Sequence, residues 1–104
     1  MRGPGRKTVA SKRAKDEKAL FEAIAKLRTS GEAAKFLRDL ATAAEIEAFA
    51  ERWRIARLLH EGALSYRDIA AETGASTTTV ARVARFLGEG GHDGYRLVLA
   101  RGRR

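Results

Sequence analysis

The run Ser65–Leu87 constrains this chain more than any other stretch. It reads as two short helices joined by a tight turn. Ile69, Ala70 and Thr73 fall on one face of the first, and Val80, Val83, Ala84 and Leu87 on one face of the second, at the spacing of a 3.6-residue period. Between them Gly74 stands where the chain must reverse, because a residue without a Cβ accepts a positive φ at no steric cost. Ala70 is small where the two helices would come closest. The second helix is left with an outer face of Thr77, Thr78, Ala81, Arg82 and Arg85. Short hydroxyl or methyl side chains followed by guanidinium groups suit base edges and phosphates, and the layout is that of a helix-turn-helix.

The segments before it are also helical in pattern, and the expected fold class is all-α. Leu20, Ala23, Ile24 and Leu27 make an apolar stripe with Phe21 beside it, predicting a helix over 14–27. Thr29-Ser30-Gly31-Glu32 is a capping-box pattern, with Thr29 as N-cap and Glu32 reaching back, opening a helix to about Leu40 that faces inward through Ala33, Phe36, Leu37 and Leu40. Thr42-Ala43-Ala44-Glu45 repeats the signal and opens the longest helix, 43–60. Its Ile46, Phe49, Ala50, Trp53, Ala56 and Leu59 form one band, with Ile55 and Leu58 on a flank. So wide an apolar arc is more than a small monomer buries, and part of it is expected to meet a second subunit. Gly62 ends that helix. After a hinge at Gly88-Glu89-Gly90-Gly91, residues 92–101 form a last short helix whose Tyr95, Leu97, Val98 and Leu99 must dock on the long helix or on a partner. Residues 1–13 read as a disordered basic arm, a candidate for nonspecific phosphate contact, residues 14–101 as one helical domain, and 102–104 as a basic tail.

Composition narrows the function. Among 104 residues, 21 Lys and Arg stand against 13 Asp and Glu, a net charge of +8 that favours a polyanionic partner. The absence of cysteine excludes disulfides, thiol catalysis and thiolate metal sites, and no metal is expected. No apolar stretch approaches transmembrane length and the N-terminus lacks the apolar core of a signal peptide, so no membrane is expected and the cytoplasm, close to the nucleoid, is the expected location. The two histidines, His60 and His92, stand in no catalytic spacing with a carboxylate, and the glycine run follows a helix where a nucleotide loop would follow a strand; no enzyme is expected.

The order of elements resembles the Trp-repressor superfamily, most closely its YerC/YecD-type branch. The resemblance rests on Phe36–Thr42, Glu51–Leu59, Ser65–Phe86 and the ending His92–Leu99, with its Asp93-Gly94-Tyr95. It implies an all-helical, intertwined homodimer from which two DNA-reading heads project. It also implies a corepressor pocket at Thr42, Arg52, Thr79 and Arg82, with Arg52 and Arg82 flanking an indole and Arg82 pairing with the ligand carboxylate. Two positions depart from the family's pattern: Val83 replaces a small glycine and Phe86 a serine. Both push apolar bulk toward the slot and remove a polar partner, so tryptophan is not expected as corepressor; a different ligand or none is expected in its place, and no cofactor is predicted.

The resulting expectation is a sequence-specific regulator, in the repressor sense, bound to double-stranded DNA as a homodimer. Ser76 caps the reading helix and turns its positive end to a phosphate. Thr77, Thr78 and Ala81 approach base edges, Arg82 and Arg85 reach phosphate or guanine, and Arg67 and Tyr66 contact the backbone from the preceding helix. A nonspecific architectural DNA binder and a protein-binding adaptor built on the same two helices are the rival readings.

Overall fold

The computed structural model describes residues 4–102, and those residues are helical throughout apart from short connections. The helices are α1 (Pro4–Ala25), α2 (Ser30–Leu40), α3 (Ala43–Glu61), α4 (Tyr66–Thr73), α5 (Thr77–Leu87) and α6 (Gly94–Arg101). They form two units, 1–41 and 42–104. No helix among the described residues is long and apolar enough to cross a membrane, and no cluster of His, Asp or Glu there is placed to hold a metal ion.

The first unit departs from the sequence reading at both ends of α1. Helix begins at Pro4, so most of the segment expected as a disordered arm is helical; Met1–Gly3 and the tail residues Arg103 and Arg104 lie outside the described residues. An apolar stripe is not needed for this. Proline is tolerated in a first helical turn, and Lys, Arg and Ala are strong helix formers. At the other end α1 stops at Ala25, because Lys26 and Leu27 donate to the carbonyls of Ala23 and Ile24, three residues back, and tighten the last turn. Thr29 caps α2 by accepting from the Glu32 N–H at 3.1 Å, as the pattern predicts. The Glu32 carboxylate reaches one residue further than a capping box, accepting from the Arg28 N–H at 2.8 Å.

The second unit holds the core. Ile55 and Ala56 of α3, Ile69 of α4, and Val80 and Val83 of α5 form one buried cluster, with Trp53, Leu58, Leu59, Leu64, Ala70, Ala75 and Tyr95 packed around it. Leu99 of α6 is buried too. Ile55, expected on the flank of α3, is in fact at its centre, while Phe49, expected on the inward band, is 48% exposed. The band read along α3 is therefore two surfaces. The second half of α3 faces α4 and α5; its first half presents Phe49 and Ala50 outward.

Local signals fix the ends of these helices. Thr42 and Glu45 close a full capping box: the Glu45 N–H donates to Thr42 Oγ1 at 3.1 Å and the Thr42 N–H to Glu45 Oε1 at 2.8 Å. Gly62 ends α3 in the left-handed conformation. Gly74 does the same for α4 at φ 81°. Thr73 braces the reversal, its hydroxyl donating to the Ile69 carbonyl at 2.8 Å and accepting from the Ala75 N–H at 3.2 Å. The glycine run after α5, expected as an open hinge, is a turn folded back on the helix end. Gly88 and Gly90 donate to the carbonyls of Ala84 and Arg85, and a Cβ on Gly91 would overlap the Phe86 carbonyl oxygen.

Candidate nucleic-acid interface

α5 has one face fixed and one free. Val80 and Val83 anchor it in the core at 0% and 1% exposure, one helical turn apart. The opposite face carries Thr77, Thr78, Ala81, Arg82 and Arg85, all exposed. α4 crosses behind it, held by Ile69, and leaves Tyr66 and Arg67 exposed at its own first turn. The seven candidates at positions 66, 67, 77, 78, 81, 82 and 85 thus belong to a two-helix unit packed on the second half of α3.

Ser76 plays the capping part that its position predicts. Its Oγ accepts from the Thr79 N–H at 3.1 Å and lies 3.1 Å from Thr79 Oγ1. The hydroxyls of Ser76 and Thr79 therefore engage each other, which leaves Thr77 and Thr78 as the outward hydroxyls of the first turn. Among the described residues neither Arg82 nor Arg85 pairs with a carboxylate. Their guanidinium carbons lie 4.8 Å and 5.8 Å from the centre of the Phe86 ring, so both cations rest on an aromatic face of their own helix. Cations held in this way keep their N–H groups available for an anion.

The residues of the implied corepressor pocket have contacts within the single chain. The Thr42 side chain is occupied by the α3 cap, Thr79 by Ser76, and Arg52 lies 5.3 Å over Phe49 on its own helix. Val83 is inside the core, and its isopropyl group fills the space that glycine would leave. Phe86 lines a groove of this unit, a cleft of about 490 Å³ whose other walls are Trp53, His92, Gly94, Tyr95 and Val98. No local pattern in the sequence groups these residues. Trp53 and Tyr95 stack with ring centres 6.3 Å apart and planes at 18°, tying α6 to α3. The Asp93-Gly94-Tyr95 ending is the signal that could have located this wall. Asp93 turns the chain in the left-handed conformation at φ 67° and pairs with Arg96, which directs Tyr95 onto Trp53.

Comparison with known proteins agrees with this architecture. The family model for the Trp repressor protein matches residues 15–103. The Bacillus subtilis (strain 168) protein YerC is 43% identical over 89 residues, covering 86% of this chain and 84% of its own. Among solved structures, a TrpR-like protein from Eubacterium eligens ATCC 27750 superposes with a TM-score of 0.73 at 43% identity, over 81% of this chain and 84% of that one. A candidate Trp repressor from Staphylococcus aureus gives 0.72 at 38% identity, over 86% and 85%. With two solved structures superposing at TM-scores above 0.7 and a family model spanning residues 15–103, the chain belongs to the Trp-repressor family, in its YerC-type branch, a family of DNA-binding regulators and not of enzymes.

Proposed function

We propose that this protein is a sequence-specific transcriptional regulator that binds double-stranded DNA as a homodimer, with α5 lying in the major groove, and that it acts as a repressor. The observation that carries the reading is the division of α5 into a buried valine face and an exposed face of threonine, alanine and arginine. Short side chains at Thr77, Thr78 and Ala81 allow the helix backbone close to base edges; Arg82 and Arg85 supply cations one turn further on. Arg67 and Tyr66 contact the sugar-phosphate backbone from α4, and the Ser76-capped N-terminus of α5 faces a phosphate. An acidic or strongly apolar outer face would instead have favoured a protein-binding adaptor.

The homodimer is supported by what a single chain leaves uncovered. Among the described residues, the six buried apolar side chains lie between Ile55 and Leu99. Phe21, Ile24 and Leu40 of the first unit, and Phe49, Leu97 and Val98 of the second, are each between 42% and 61% exposed. Helices that bury nothing of their own need a partner surface, and a second copy carrying the same stripes provides one. Tryptophan is not the effector in this reading, since Val83 occupies the core where a pocket would open.

Selection from a pool of random duplexes tests the proposal. Enrichment of one palindromic site, with half-sites about one helical turn apart, is the expected result. Arg82→Ala should then weaken binding to all duplexes, and Thr78→Ala should lower the preference for the selected site. Tight binding without enrichment would make the protein an architectural DNA binder, and no binding an adaptor. Titration calorimetry with L-tryptophan should give no binding heat.

A further inference from the structure

The candidate DNA-contacting cations Arg67, Arg82 and Arg85 are not held alike. Arg67 lies over no aromatic ring among the described residues. Arg82 and Arg85 share one ring, that of Phe86, with guanidinium carbons 4.8 Å and 5.8 Å from its centre. Arg82 and Phe86 have the i, i+4 spacing that makes side chains neighbours along a helix. Arg85 and Phe86 are adjacent in sequence, and helix geometry alone would point them apart. Some further contact must direct the Arg85 side chain toward the ring.

The glycine turn after α5 supplies that direction. A Cβ on Gly90 would stand 2.8 Å from Arg85 Cγ and 3.1 Å from its Nε, so the Arg85 side chain runs through the space a residue with a side chain would fill. The Gly90 N–H donates to the Arg85 carbonyl at 3.1 Å and fixes the turn there. Gly91 comes so close to the Phe86 carbonyl that a Cβ would overlap it. The Phe86 ring is itself held, partly buried in a groove wall that includes the stacked pair Trp53 and Tyr95. Packing thus fixes the ring, and the ring seats the two cations. An unseated arginine loses rotamer freedom when it meets a phosphate or a base edge, a cost of about two- to tenfold in affinity. A seated one has lost most of that freedom before the duplex arrives.

We infer that Phe86 is a positioning residue for DNA binding: with the glycine turn behind it, it seats Arg82 and Arg85 ahead of the encounter. This rests on the DNA-binding reading above and adds to it the side chain that orders its cations. Phe86 acts through the two arginines and needs no contact with DNA of its own.

The test is a double-mutant cycle with the full chain, read by fluorescence anisotropy on one duplex of fixed sequence. Phe86→Leu keeps an apolar side chain in the groove wall and removes the π face; Phe86→Tyr keeps the ring. Phe86→Leu should weaken binding about two- to tenfold for each arginine it unseats, and Phe86→Tyr should bind as wild type does. With Arg82→Gln and Arg85→Gln already in place, Phe86→Leu should change affinity by less than about twofold. Beside Arg67→Gln it should keep its full effect. Gly90→Ala should weaken binding in the wild-type background and not beside Arg85→Gln. In the free protein, the ring-current shift of the Arg82 Nε–H resonance should be present in wild type and in Phe86→Tyr and lost in Phe86→Leu. Should Phe86→Leu fail to fold, Gly90→Ala and the wild-type Arg82 resonance decide the matter. Wild-type affinity in Phe86→Leu overturns the inference. So does an equal loss with and without the two arginines, which would make the ring a structural wall only, and so does a wild-type Arg82 resonance at the position of a free side chain. If the wild-type chain retains no duplex at low salt, the DNA-binding reading fails and the inference with it; if it binds and the cycle is additive, the inference alone is lost.

Discussion

Ile55 and Phe49 lie six residues apart on α3, yet one is sealed in the core and the other is about half in water. Periodicity placed both on or near one band; only the direction from which α4 and α5 approach decides which is covered. Ile55→Ala should therefore cost about 2–5 kcal/mol, the range for emptying a fully enclosed aliphatic site, read by urea denaturation. Gly74 and Gly91 mark two different backbone demands. At Gly74, φ is 81° and a Cβ would meet nothing within 4 Å, so Gly74→Ala costs only the left-handed penalty, about 1–2 kcal/mol. At Gly91 a Cβ meets the Phe86 carbonyl oxygen, so Gly91→Ala must displace backbone at the end of α5. It should lower thermal stability more than Gly74→Ala. The glycine of the α4–α5 turn was legible because its neighbours show a helix ending there; the close approach at Gly91 joins residues that no local pattern links.

Helix caps are the elements' most readable feature. Thr42, Ser65 and Ser76 each accept from a backbone N–H three residues on, as their place before a helical run predicts. These bonds close within four residues and need no tertiary partner. Ser76→Ala should cost about 1 kcal/mol by thermal denaturation and, since it frays the turn that carries Thr77 and Thr78, should weaken DNA binding beyond that loss. The start of α1 is hard to read from sequence for the opposite reason. It carries no apolar period, so helix propensity is the sole local signal there. The outward face of α5 was legible residue by residue, because alternate faces of an 11-residue helix follow from the period once the buried valines are placed.

At the scale of the molecule, the exposed apolar side chains govern behaviour. Leu97 and Val98 are each 52% exposed on α6, with Val98 on the rim of the Trp53–Tyr95 groove. Val98→Asp should leave the fold of residues 42–104 intact, because Val98 is outside the core, while shifting the solution mass from two subunits to one by analytical ultracentrifugation. The wild-type melting temperature should rise with protein concentration, as it does when folding is coupled to association.

What the sequence determined alone was local: the helical class, the caps, the reversal at Gly74, the exposed threonine and arginine face of α5 and the family pattern that runs through Asp93-Gly94-Tyr95. Each of these depends on residues within one or two helical turns of each other. Tertiary structure decided which half of α3 is interior, that Val83 belongs to the core, and that Trp53, Phe86 and Tyr95 wall a groove. Those outcomes depend on how helices distant in sequence approach one another, and a period along one helix records only that a face is apolar, never what comes to cover it.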